Sequence, residues 1–118
     1  MRIFHIPAYT DNYIWVMQSG SDISIIDPGD ASPVLDHIKN NDLNIVDILL
    51  THHHFDHVGG TLELKKHISG KVYGPVGDIN GVDIQVSEDD EVKTLDYKFS
   101  VLETPGHTLD HLAYVEKR

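Results

Sequence analysis

Four histidines fall within six positions of this 118-residue chain, in the run Thr51-His52-His53-His54-Phe55-Asp56-His57. Imidazole nitrogen and carboxylate oxygen are the donors that suit zinc, at roughly 2.0–2.2 Å. His52 and His54 are two apart, so in an extended segment both project to one side while His53 and Phe55 project to the other. Asp56 and His57 follow as the chain turns at Gly59-Gly60, where glycine permits a tight bend. A catalytic zinc needs three protein ligands and an open position for water. His52 and His54 supply two of them. Asp56 and His57 can begin a second site, and metals roughly 3.5–4 Å apart are a common hydrolytic pair.

One histidine in a polar loop is most simply a surface residue. Four of them with an aspartate, directly after a buried strand, read as a ligand cluster, with His53 as a structural bystander. His107, in the loop Thr104-Pro105-Gly106-His107-Thr108, is the natural third ligand for His52 and His54. His111 reads as structural or as a support for the ligands. His5, His37 and His67 have no companions and read as ordinary strand or helix-surface residues. The chain holds no helical His-Glu-x-x-His motif.

Composition narrows the chemistry. There is no cysteine, which excludes disulfides and thiolate sites, so any metal rests on nitrogen and oxygen donors. The 19 acidic residues against 9 basic ones give a formal net charge of −10. That balance argues against a nucleic-acid partner, whose affinity comes mostly from basic side chains. A small anionic substrate remains compatible, because a bound divalent cation inverts the local field. No apolar run approaches the roughly 20 residues of a membrane span. Residues 1–7 lack the pattern of a secretory signal. The expectation is a soluble cytoplasmic protein with no membrane partner.

The elements that position these residues are legible from pattern. Residues 2–6, 12–18 and 23–26 read as strands, the last two joined as a hairpin by Ser19-Gly20-Ser21-Asp22. Ser32-Pro33 reads as the N-cap and first position of a helix to about residue 40, with Val34, Leu35 and Ile38 on one face. Residues 46–50 read as a buried strand that delivers the histidine cluster at its C-terminal end. A second helix is expected over 61–68, with Leu62, Leu64 and Ile68 apolar. Short strands follow at 71–73 and 84–86, then a hairpin of 91–95 and 97–102 around Asp96, and a last strand at 111–116. Strands, two helices and further strands predict layered α/β packing in one domain or part of one.

The run at residues 51–57 is similar to the Thr-His-x-His-x-Asp-His motif of the metallo-β-lactamase superfamily. Asp27-Pro28-Gly29 and Thr104-Pro105-Gly106-His107-Thr108 match further pieces of that pattern. Asp11-Asn12-Tyr13-Ile14-Trp15, Asp27-Pro28-Gly29-Asp30 and Tyr73-Gly74-Pro75 resemble the hydroxyacylglutathione hydrolase (glyoxalase II) family more closely. The resemblance spans residues 1–118 but only the N-terminal half of such an enzyme. It implies an αββα sandwich, here a partial metallo-β-lactamase-like domain, with a two-metal site between its sheets. His52, His54 and His107 would hold the first metal, and Asp56 and His57 would contribute to the second. Asp27 would brace the metal loops. Zinc is the implied metal, with iron or manganese as alternatives.

The implied reaction is hydrolysis of S-D-lactoylglutathione to glutathione and D-lactate, a step of methylglyoxal detoxification, by water activated at the metals with Asp56 orienting it. Asp110 stands where the family usually has glycine, and the family's bridging aspartate, last metal histidine and glutathione-binding residues come from segments past residue 118. The expectation is therefore one complete three-histidine site, half of a second, and little or no turnover by residues 1–118 alone. Two other classes stay open at this point. One is a non-catalytic metal-binding or assembly module completed by a partner chain, self-associating through the sheet edge exposed at 111–116. The other is a different superfamily activity, such as persulfide oxidation or β-lactam hydrolysis.

Overall fold

A computed structural model describes residues 2–8, 12–28, 31–51, 60–77, 81–103 and 112–116. Six strands form the larger sheet in chain order: β1 (Arg2–Ala8), β2 (Asn12–Ser19), β3 (Asp22–Ile26), β4 (Asn44–Leu49), β5 (Val72–Pro75) and β6 (Ile84–Val86). The first three run antiparallel, with Gly20 at φ +64° in the β2–β3 turn. From β3 onward the pairing is parallel. Parallel neighbours need a crossover, and the β3–β4 connection contains helix α1 (Ala31–Asn41). Helix α2 (Thr61–Leu64), continued by a 3-10 turn at Lys65–His67, lies between β4 and β5. A three-stranded antiparallel sheet of β7 (Glu91–Thr94), β8 (Tyr97–Glu103) and β9 (Leu112–Glu116) completes the described elements, with β9 at one of its edges.

Local chemistry accounts for the ends of these elements. At the C-terminus of α1 the Leu43 N–H donates to the Ile38 carbonyl at 3.1 Å, with Asp42 between them at φ +53°. That is the helix-ending motif in which one left-handed residue lets the chain turn back and satisfy an orphan carbonyl. The β7–β8 hairpin turns through Leu95 and Asp96, both at positive φ, as a two-residue turn matched to strand twist requires.

Two apolar layers flank the larger sheet. On one face Ile14, Val16, Ile23, Ile25, Ile48 and Val72 pack with Val34 of α1 and Leu64 of α2. On the other, Leu49 and Val86 meet Val92 and Val101 of the second sheet. The order is helices, sheet, sheet. It corresponds to three of the four layers of the implied αββα sandwich.

Strand β4 supplies both layers, and a bulge decides which of its residues face each. Ile23 pairs with Ile45 but Ser24 pairs with Asp47, so Val46 is the extra residue. The extra residue reverses the alternation. Ile45, Ile48 and Leu50 therefore join the helix-side layer, while Leu49 faces the second sheet. Asp47 is buried, and its Oδ2 accepts the Thr94 hydroxyl proton at 2.6 Å while its Oδ1 accepts the Lys71 N–H at 2.8 Å. With the Thr94 proton engaged, the Ser24 hydroxyl donates to Thr94 Oγ1. This polar chain joins β3, β4 and β7 through the middle of an apolar layer. Gly70 closes over it: a Cβ there would lie 2.1 Å from Asp47 Oδ1 and 2.7 Å from the Val46 carbonyl oxygen.

Two sequence expectations need correction. Helix α1 begins at Ala31, so Ser32 lies inside it rather than at its cap. The helix expected over 61–68 is one α-turn followed by a 3-10 turn, and Leu62 is 53% exposed. Leu62 stands two residues before Leu64, roughly 200° round a helix, and so faces away from it. Only Leu64 and Ile68 reach the core.

Candidate metal centre

The expected ligands His52, His54, Asp56, His57 and His107 lie outside the described residues, as do His53, Asp110 and His111. What the structure describes is the frame that delivers them. Among the described residues no three histidines, aspartates or glutamates converge as a metal cluster. The remaining histidines behave as ordinary surface residues. His5 stands edge-on to Trp15, His37 packs against the Phe4 ring at 5.2 Å, and His67 is exposed.

The frame begins at the end of β3. Asp27 sits at φ +52°, a left-handed conformation that aspartate tolerates better than most residues. Its N–H donates to the Leu49 carbonyl at 3.0 Å, which fixes it beside the end of β4. Its carboxylate then takes two protons from one residue: Oδ1 accepts the Thr51 N–H at 2.8 Å and Oδ2 accepts the Thr51 hydroxyl at 2.6 Å. Thr51 immediately precedes His52. On the far side of the cluster, the Gly60 N–H donates to the Pro28 carbonyl at 3.0 Å. Residues 52–59 thus leave from, and return to, the Asp27-Pro28 pair. Charge-assisted hydrogen bonds of this kind are about twice as strong as neutral ones.

The second sheet reaches the same place. The Tyr114 hydroxyl in β9 donates to the Leu50 carbonyl at 2.6 Å. Burial, reinforced by the negative charge of Asp27, holds this phenol above its ordinary pKa, so it stays a proton donor. Residues 104–111, which include His107, connect β8 to β9. At the base of that connection Glu103 pairs with Leu112, and the Glu103 N–H donates to the Glu88 carboxylate at 2.6 Å. The end of β4, which leads to His52 and His54, is therefore joined through Leu50 to Tyr114, the third residue of the strand that follows the His107 connection.

This frame fits a metal of the expected kind. The donor set available at the two connections is imidazole and carboxylate, with no thiol in the chain, which suits zinc, iron or manganese. Strand ends held by hydrogen bonds are a rigid platform for loop-borne ligands. Sequence reasoning had signalled Asp27 only through resemblance and had missed Tyr114 and Thr51 as parts of the frame. The available signal for Tyr114 was chemical: a tyrosine in a strand destined for a sheet interface places its hydroxyl on a partner when buried.

An apolar groove of about 240 Å³ opens beside Tyr114, lined also by Ile3, Trp15, Met17, Ile26, Leu49 and Phe99. It lies where the face of β1–β3 extends beyond the second sheet. No helix among the described residues is long and apolar enough to cross a membrane.

Known proteins share both the sequence and the fold. A protein named hydroxyacylglutathione hydrolase from Hahella chejuensis is 48% identical over 115 residues, covering 96% of this chain and 45% of its own. One of the same name from Vibrio cholerae is 41% identical, covering 98% and 47%. The chain spans about half the length of the curated relatives it matches. Among solved structures, ETHE1 from Myxococcus xanthus superposes with a TM-score of 0.81 at 27% identity, over 98% of this chain and 54% of that one. The BLEG-1 B3 metallo-beta-lactamase shares the fold, with a TM-score of 0.80 at 24% identity, over 96% of this chain and 66% of its own. Residues 10–80, which contain the Asp27 clamp and the whole histidine run, match the pattern of one family, and by that match this chain belongs to the metallo-beta-lactamase superfamily.

Proposed function

We propose that residues 1–118 are the N-terminal part of a glyoxalase II-type thioester hydrolase, a partial metallo-β-lactamase-like domain acting on S-D-lactoylglutathione in the cytoplasm. The observation that carries this is the anchoring of the residues that flank 52–59, Thr51 on Asp27 and Gly60 on Pro28. It holds both ends of the histidine run at the end of a buried strand, beside the sheet that carries the connection with His107. The names of the relatives, hydroxyacylglutathione hydrolase, support the substrate class.

In this proposal His52, His54 and His107 hold one zinc, with iron or manganese as alternatives, and Asp56 and His57 address a second metal. A zinc so held supplies Lewis-acid polarisation and a water of pKa near 7. The Asp56 carboxylate orients the attacking water toward the thioester carbonyl as well as serving as a ligand. Asp27 and Thr51 keep the histidine run at the strand end through the reaction. A small glutathione thioester is the partner, with neither nucleic acid nor membrane involved. The edge strand β9 offers a route to self-association.

A substrate panel tests the proposal. The protein whose reading frame contains these residues, loaded with zinc, is expected to hydrolyse S-D-lactoylglutathione in preference to a β-lactam and a glutathione persulfide. Residues 1–118 alone are expected to turn over little or no thioester. A preference for either competing substrate contradicts the assigned substrate. Robust thioester turnover by residues 1–118 contradicts the partial site.

A further inference from the structure

We infer that Tyr114 is a positioning residue for the metal site: its hydroxyl, held on the Leu50 carbonyl, sets the connection carrying His107 against the segment carrying His52 and His54. This role rests on the metal-site assignment proposed for those histidines, and it adds a residue that touches neither metal nor substrate.

The argument is one of direction. The contact between the two sheets is an apolar layer of Leu49, Val86, Val92 and Val101, and apolar contact does not itself fix orientation. Among the described residues, side-chain hydrogen bonds tie the larger sheet to the second at two places. One is the Ser24–Thr94–Asp47 chain, at the end of β7 beside the Leu95-Asp96 turn. The other is Tyr114 Oη to Leu50 O. Strand β8 begins at that turn and ends at Glu103, so the 104–111 connection leaves from the opposite end of the second sheet. Tyr114 is therefore the tie on the side of His107. It grips the residue directly before Thr51, the residue that Asp27 already clamps. The ends of β3 and β4 meet the middle of β9 at this point: β3 through Asp27, β4 through Leu50 and Thr51, and β9 through its central residue Tyr114. The aromatic ring packs against the same apolar layer, so replacing tyrosine by phenylalanine keeps the packing and removes the directional contact.

The test is Co(II) binding to residues 1–118, read by titration and by the visible d–d absorption of the bound ion, with circular dichroism to verify folding. Tyr114→Phe is expected to weaken Co(II) binding about tenfold, the lower end of what outer contacts contribute at metal sites. Its d–d spectrum should also change. Thr94→Val, which removes the tie at the far end, should leave affinity and spectrum unchanged. In a His107→Ala background Tyr114→Phe should cost nothing further, because the hydroxyl acts through His107. Unchanged binding by Tyr114→Phe overturns the inference, as does an equal loss in both backgrounds or a Tyr114→Phe chain that no longer folds. Failure of the wild-type chain to bind Co(II) overturns the metal-site assignment and this inference with it. Wild-type binding that Tyr114→Phe leaves untouched overturns the inference alone.

Discussion

Replacing Asp27 by alanine is expected to reduce metal affinity about 100-fold, as loss of a strong supporting contact can, and to lower stability by roughly 3–6 kcal/mol. Three losses combine. The Thr51 N–H and hydroxyl lose their shared acceptor, and hydrogen bonds to a charged group contribute roughly 1.5–3 kcal/mol each. Alanine must also adopt the φ of +52° at this position, which aspartate tolerates better. The third loss is functional. Thr51 directly precedes His52, so slack here passes into the histidine run. Asp27→Asn should fall between wild type and alanine. It tolerates the left-handed backbone, but its single carbonyl oxygen cannot take both Thr51 protons. Chemical denaturation and zinc titration of the three proteins check the order. Equal behaviour of the asparagine and alanine variants would show that the bidentate contact is not what matters.

Asp47 gives the second large effect, and it separates charge from hydrogen bonding. Asp47→Ala leaves the Lys71 N–H and the Thr94 hydroxyl without their acceptor inside a buried layer. The expected loss is roughly 3–5 kcal/mol, a fall in Tm of more than about 10 °C for a chain of this size. Asp47→Asn should cost less than about 1 kcal/mol. The amide oxygen takes the Lys71 proton, the amide nitrogen donates to Thr94, and the Thr94 hydroxyl reverses to donate to Ser24. The chain of hydroxyls permits that reversal because either oxygen can be the donor. Calorimetry distinguishes the two variants. If asparagine is as damaging as alanine, the negative charge is needed and the reversal does not occur.

The parts of this protein legible in sequence were those governed by local pattern. Alternation and turn residues marked β2, β3 and the β7–β8 hairpin. The run of Val46 to Leu50 announced a buried strand ending at the histidines. Spacing also paired His52 with His54, a reading that falls outside the described residues. Other features depended on long-range pairing. Asp47 looks misplaced in an apolar run until the bulge at Val46 turns it toward Thr94, 47 positions away. Tyr114 acquires its role from a carbonyl 64 positions away, and no local pattern encodes that contact. The helix expected over 61–68 gives way at Lys65 to a 3-10 turn, where Lys65 donates to Asp83 and to the Gly81 carbonyl, contacts 18 and 16 positions away that local pattern does not encode.

The central claim is that the ends of β4 and β9 jointly frame one three-histidine metal site. Zinc titration of residues 1–118, with stoichiometry read by calorimetry, tests it most directly. The expected result is one zinc per chain, bound far more weakly, and to a similar degree, in His52→Ala, His54→Ala and His107→Ala. Binding that survives His107→Ala unchanged would contradict a site built from both sheets, and an absence of zinc binding by the wild-type chain would contradict the site itself.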